Sequence, residues 1–177
     1  MADTNAAALP VEIRRWQDVT PTQTMTRELD QIFFESSNTK TFASDEVRAA
    51  FRERWFGRYL KQYPEWAYVA LSADGSVAGY LVAALDEPSA IDAFTAATKT
   101  YPAHLHINLS PAYRSRGIGA SLIEAFASDA KRAGAKGAHV VTSADARNVR
   151  FYERVGFAPR ARALINGSEL VFLGRAL

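Results

Sequence analysis

Two short segments of this chain carry residue types at spacings suited to chemistry. In the first, Arg114-Ser115-Arg116-Gly117-Ile118-Gly119-Ala120, two arginines bracket a turn that glycines punctuate and that opens a helix. The first turn of a helix has N–H groups without an intrahelical acceptor, and the helix dipole adds partial positive charge there, so an anion is stabilised at that end. Gly117 and Gly119 present no side chain to hold a phosphate away, and Arg114 and Arg116 can neutralise its charge. The expected ligand group is a diphosphate. A dinucleotide fingerprint would need a third glycine where Leu122 stands, and a P-loop would need a Gly-Lys-Ser or Gly-Lys-Thr ending that is absent. The second segment runs from Asn148 to Phe157. Asn148 and Tyr152 are four residues apart and share a helical face, while Phe151 and Val155 make a second, core-facing pair. A phenol of ordinary pKa, about 10, still holds its proton at neutral pH and can donate it to a developing anion. Taken alone, Tyr152 reads better as a helix tyrosine packed on a sheet.

With both segments present in this order, about thirty residues apart, the chain resembles the GNAT superfamily of acyl-CoA-dependent N-acyltransferases. The first segment matches R-x-x-G-x-G from Arg114, and the second matches N-x-x-x-x-Y-x-x-x-G-F from Asn148. The resemblance implies that residues 114–120 hold the pyrophosphate of acetyl-CoA, with Asn148 beside the cofactor. It also implies that Tyr152 protonates the departing thiolate. In this family two central strands splay apart to admit acetyl-CoA. Here that gap is expected between the strand ending at Leu109 and the strand ending near Thr142. Backbone groups at Ile107, Asn108 and Leu109 would then meet the pantetheine arm, and one N–H would polarise the thioester carbonyl.

A narrower resemblance rests on Tyr101-Pro-Ala-His-Leu-His-Ile-Asn-Leu109, which follows the strand Gly79-Tyr80-Leu81-Val82 and an aspartate-containing insertion. This segment is similar to bacterial stand-alone GNATs related to the acetyltransferase-like C-terminal domain of O-GlcNAcase. That group is expected to have an aspartate where this chain has Asn108. An amide can orient an amine or a water but cannot accept a proton as a carboxylate does. The candidates for a base are therefore His104 and His106, on one side of their strand by its two-residue period, or Asp86 or Glu87 before it. His106 and Asn108 join Tyr152 as candidate catalytic residues. A water chain alone is a further route for the acceptor's proton, because holding amine and thioester together supplies most of the acceleration.

The elements that must position these groups follow from patterning. Residues 11–16 alternate as a first strand, and Asp18 or Thr20 with Pro21 starts a helix to about Ser36 with Met25, Leu29, Ile32 and Phe33 on its apolar side. Ser44 caps a second helix in which Val47, Phe51, Trp55, Tyr59 and Tyr63 recur every fourth residue until Pro64 stops it; that stripe reads as core, or as an acceptor wall. Strands 66–73 and 76–85 flank an Asp74-Gly75 hairpin turn. Residues 86–100 form an insertion, weakly helical at 91–94, that reads as a lid or as a surface excursion. A strand to Leu109, the helix from Gly117 to Ala133-Gly134, a strand at 138–142, the Asn148 helix and strands 157–164 and 169–173 about Asn166-Gly167 complete the order. The expected fold is an α/β (α+β) GNAT fold. Its mixed, mostly antiparallel central sheet has about seven strands with helices on both faces.

Composition bounds the rest. A chain of 177 residues, 48% hydrophobic, suits one buried core, so residues 11–177 are expected to form a single domain after a disordered lead at 1–10. Formal net charge is +2, too small for a nucleic-acid-binding surface. With no cysteine there is no disulfide, thiolate nucleophile or sulfur-based zinc site, and three scattered histidines suggest no metal. No signal-like or membrane-length apolar run occurs, which favours a cytoplasmic protein whose partners are acetyl-CoA and an amine. An edge strand at the C-terminus is a candidate for homodimer formation. A catalytically silent acyl-CoA-binding or interaction module on the same fold is the competing reading, and Asn108 is the residue that favours it.

Overall fold

The computed structural model describes residues 10–87 and 91–177. One seven-stranded sheet, in the order β1-β2-β3-β4-β5-β7-β6, organises them. Its strands are β1 (Val11–Arg15), β2 (Ala67–Ser72), β3 (Val77–Ala84), β4 (Ala103–Leu109), β5 (Gly137–Ser143), β6 (Ala158–Ile165) and β7 (Ser168–Ala176). All pairings are antiparallel except β4 with β5. Helices α1 (Gln23–Ser36), α2 (Asp45–Arg52) and α3 (Arg58–Gln62) cover one face of β2 and β3, where Leu29, Ile32, Phe33, Phe56 and Tyr59 pack on Val69, Tyr80 and Val82. On the other face α5 (Ile118–Arg132) and α6 (Asn148–Arg154) bury Leu122, Ile123, Phe126 and Tyr152 against Leu81, Leu105, Val140 and Val171. The mixed sheet covered on both faces is the arrangement that the sequence order implies.

Local departures from expectation have local causes. α1 is capped by Thr22, whose side chain accepts from the Met25 amide, and not by Asp18 or Thr20; Trp16–Asp18 form a separate 3-10 turn. Ser44 does cap α2, accepting from Val47 N–H. The every-fourth stripe then breaks, because residues Glu53–Gly57 make a π turn that inserts one residue into the helical phase. Val47 is 50% exposed and Trp55 36% exposed, while Phe56 and Tyr59 are fully buried. The insertion is packed at its second half: Asp92–Phe94 and α4 (Thr95–Thr100) are helical, and the buried Phe94 ring lies 5.6 Å from Phe172. It is therefore no plain surface excursion. Its residues 88–90, and residues 1–9 of the lead expected at 1–10, lie outside the described residues. The C-terminal strand is not an edge. The Asn166-Gly167 turn, both residues at positive φ, folds β6 outside β7, so the edges are β1 and β6.

Candidate active site

The turn at residues 114–120 has the form its residues suggest. Ser115 (φ 61°) and Gly117 (φ 80°) both take the left-handed conformation, which turns the chain from β4 into α5. Ser121 N–H makes the first bond back along the helix, to Gly117 O. The amides of Ile118, Gly119 and Ala120 therefore have no intrahelical acceptor. Arg114, Ser115 and Arg116 are exposed; Arg114 Nε donates to Leu109 O at 3.1 Å, tying the turn to the end of β4, and Arg116 lies over the Tyr113 ring. Gly119 serves packing as well as access. A side chain there would come within 3.0 Å of the Phe151 ring, so the missing Cβ lets α6 approach the first turn of α5.

β4 and β5 pair only at Ala103↔Ala138 and His104↔His139. Beyond His104 they diverge, β4 keeping its partner β3 out to Gly79↔Leu109 and β5 keeping β7 out to Ser143↔Leu170. The β5-facing backbone edge of β4 from Leu105 to Leu109 thus has no strand partner. This is the gap that the family resemblance implies, between the same two strands. Thr142 Oγ1 donates to Asn148 Oδ1 at 3.1 Å, which fixes the exposed start of α6 to the far side of the gap.

The pleat divides the candidate residues between the two faces. Leu105, Ile107 and Leu109 share an apolar cluster with Ile118 and Tyr152 on the α5–α6 side. Tyr152 is buried against Phe151 and Phe157, and among the described residues its hydroxyl makes no hydrogen bond. Desolvation raises its pKa well above the ordinary phenol value, so it stays protonated. His104, His106 and Asn108 take the opposite side, toward α1–α3. Asn108 Nδ2 donates to the buried Tyr80 hydroxyl at 2.7 Å. Its carbonyl oxygen makes no hydrogen bond among the described residues.

The histidines, scattered in sequence, are gathered in space. His106 lies tilted 4.6 Å from His104, which stacks on His139 at 4.7 Å, and Phe172 closes the row 4.6 Å beyond His139. Among the described residues no cluster of His, Cys, Asp and Glu has a geometry that could hold a metal ion. Desolvation lowers the pKa of all three, His106 to about 4, so they are neutral imidazoles at neutral pH. Of the two carboxylates considered as bases, Asp86 is exposed. Glu87 joins the cluster, bonded to Arg58 and accepting from the Tyr59 hydroxyl at 2.6 Å. Tyr59 stood in the sequence only as part of a stripe read as core or as an acceptor wall, and Arg58 was not legible as a site residue, because the π turn that brings them here leaves no pattern of its own in sequence.

A model of the acetyltransferase (GNAT) family matches residues 24–157. The chain belongs to the GNAT acetyltransferase family. Its fold is shared with SsHAT (20% identity, TM-score 0.72, 94% of this chain and 98% of that one). It is shared with a GNAT superfamily phosphinothricin acetyltransferase of Sinorhizobium meliloti solved with AcCoA (19%, TM-score 0.64, 94% and 88%). The NatC complex bound to Gag peptide and CoA also contains a similar chain (14%, TM-score 0.66, 94% and 98%). At these identities the GNAT likeness is one of fold. No helix among the described residues is long and apolar enough to cross a membrane.

Proposed function

We propose that this GNAT transfers an acetyl group from acetyl-CoA to a primary amine by direct attack within a ternary complex. The observation that carries the reading is the two-residue pairing of β4 with β5, which opens a gap with an anion-binding turn on one side and a protonated phenol on the same face. The residues present suit acetyl-CoA: unpaired amides at Ile118, Gly119 and Ala120 and the side chains of Arg114, Ser115 and Arg116 for a diphosphate, and the open edge at Ile107–Leu109 for an amide-bearing arm. Bound there, acetyl-CoA would supply an activated thioester. A β4 amide near Leu109 would bind the carbonyl oxygen, Tyr152 would supply the leaving sulfur's proton, and Asn108 would orient the acceptor from the opposite side. Asn148, on the far wall, would hold the gap's width through Thr142. Within the family, the segment Tyr101–Leu109 supports a place beside the bacterial group similar to the O-GlcNAcase C-terminal domain.

Release of free coenzyme A on a panel of primary amines, with calorimetry for acetyl-CoA, tests this. Turnover on any amine supports the transfer. Asn108 favours a second reading, an acyl-CoA-binding module without turnover, since its amide nitrogen donates to Tyr80 and its carbonyl takes no proton as a carboxylate would. Cofactor binding with no release on any amine would establish that reading instead.

A further inference from the structure

A primary alkylamine reaches a protein at neutral pH as an ammonium ion, and it must lose a proton before its lone pair can attack. The α1–α3 side of the gap contains a connected path for that proton. The Tyr59 oxygen has three polar neighbours: Glu87 Oε2 at 2.6 Å, Arg58 Nη2 at 2.8 Å and His106 Nε2 at 3.2 Å. Arg58 can only donate, and the carboxylate can only accept. The Tyr59 hydroxyl proton therefore points to Glu87, and the remaining lone pair faces His106. That fixes the tautomer: His106 carries its proton on Nε2 and donates it to Tyr59, leaving Nδ1 as a bare acceptor. His106 lies two residues before Asn108 on the same face of β4, with the half-exposed Trp55 ring edge-on 5.9 Å away.

We propose that His106, Tyr59 and Glu87 form a relay that carries the acceptor ammonium's proton away from the reacting nitrogen, which assigns this site an alkylamine. The proposal rests on the acetyl-transfer reading above. One ammonium N–H bond breaks as an N–H bond forms at His106 Nδ1. The Nε2 proton then passes to the Tyr59 oxygen while the Tyr59 hydroxyl proton passes to Glu87 Oε2. One proton has moved from amine to carboxylate, and no electron changes hands. Once the product has left, His106 Nδ1 gives its proton to water while the Tyr59 proton returns to His106 Nε2 and the Glu87 proton returns to Tyr59, which resets the relay. The low proton affinity of His106 suits transit over storage, and its titratable surroundings are few: burial, Arg58 and His139 oppose the imidazolium, while Glu87 favours it. Tyr59 and Glu87 act through His106 and never touch the acceptor.

The test compares the parent with Tyr59→Phe and Glu87→Gln, both close in shape, on an alkylamine that the parent acetylates, from pH 6.5 to 9.5. At pH 7 either variant should lose about 30-fold in kcat, a typical size for a lost proton-transfer group, with acetyl-CoA affinity by calorimetry unchanged. The loss should shrink toward pH 9.5, where about a tenth of an amine of pKa about 10.4 arrives deprotonated, roughly 300-fold more than at pH 7. A purely structural role would lower activity equally at every pH, and that result, or no loss at all, overturns the relay while leaving acetyl transfer standing. A parent inactive on every amine overturns acetyl transfer and the relay with it. Nitrogen-15 NMR of the imidazoles, in the protein alone, supplies a readout independent of turnover. His106 protonated on Nε2 in the parent supports the path, and protonation on Nδ1 breaks it.

Discussion

The two faces of the sheet solve different problems by different means. On the α5–α6 face the candidate groups come from contiguous sequence: a turn of seven residues presents backbone amides, and one helix places Tyr152 four residues after the Asn148 that fixes it to β5. Backbone geometry does most of the work there, and the side chains needed are few. On the α1–α3 face the groups come from α3, the segment after β3 and alternate residues of β4, and long-range side-chain hydrogen bonds join Arg58, Tyr59, Glu87 and His106 into one network. A face that binds an invariant ligand can rely on backbone. A face that receives the variable partner is built from side chains, which substitution can retune one at a time.

The largest expected effect tests the first face. Tyr152→Phe should lower kcat by about 100- to 1000-fold, within the span of a lost general acid, and leave acetyl-CoA affinity within about 2-fold in calorimetry. Equal kcat in mutant and parent would remove the acid role and leave the gap as a binding site only. The second face is broken at its π turn. Phe56 is fully buried, 5.7 Å from Phe33 and 4.5 Å from Tyr80, so Phe56→Ala should cost about 3–5 kcal/mol in denaturant unfolding. Trp55→Ala, one residue earlier and half-exposed, should cost about 1 kcal/mol or less. The opposite ranking would restore the unbroken four-residue stripe and displace Tyr59 from the relay.

That contrast also explains what sequence patterns reach. Gly117, Gly119, Asn148 and Tyr152 stand out in sequence because short-range spacing sets the turn and the helix that hold them, and the gap between the strands of Leu109 and Thr142 followed from the family resemblance that those two motifs carry. Asp74-Gly75, Asn166-Gly167 and the caps at Ser44 and Gly134 were legible for the same reason. The buried cluster was not, since Tyr59, Glu87 and His106 are joined only by folding, across 28 and 47 residues of chain. Nor could a periodic reading find the π turn, in which no proline or glycine pair announces the extra residue. The cap at Thr22 was misplaced for a smaller reason: several Ser, Thr and Asp residues compete there, and only tertiary packing selects among them.

Acid titration separates the faces by stability. His104, His106 and His139 are held neutral in the folded state, whereas in the unfolded chain each takes a proton near its ordinary value of about 6.5. The unfolded state therefore binds more protons below that pH, and stability falls as pH drops from about 6.5 toward 4. His106 alone accounts for up to about 3 kcal/mol of that loss by pH 4. Asp74, Glu46 and Glu124, whose pKa values are lowered, lose their contributions only below the ordinary carboxylate range, so the upper window belongs to the histidines. Thermal melts of His106→Gln should show a visibly flatter slope between pH 6.5 and 4. An unchanged slope would mean that His106 is solvated and the row is not closed.

The smallest effect concerns the exposed arginines of the anion-binding turn. Arg114 also holds Leu109 O, whereas Arg116 only rests near Tyr113, so their removal should differ in kind. Arg116→Ala should weaken acetyl-CoA binding by about 3- to 10-fold at low salt and by less as ionic strength rises, the signature of an exposed charge screened by solvent. Its kcat at saturating cofactor should stay that of the parent, because in the proposed binding mode backbone amides and not the guanidinium would set the position of the diphosphate. Arg114→Ala should weaken binding similarly and also lower kcat, since it frees the end of β4 that lines the gap. If both variants kept full affinity in salt-dependent calorimetry, the turn would be a tight connection and no more, and the contrast between a backbone-built and a side-chain-built face would lose its first half.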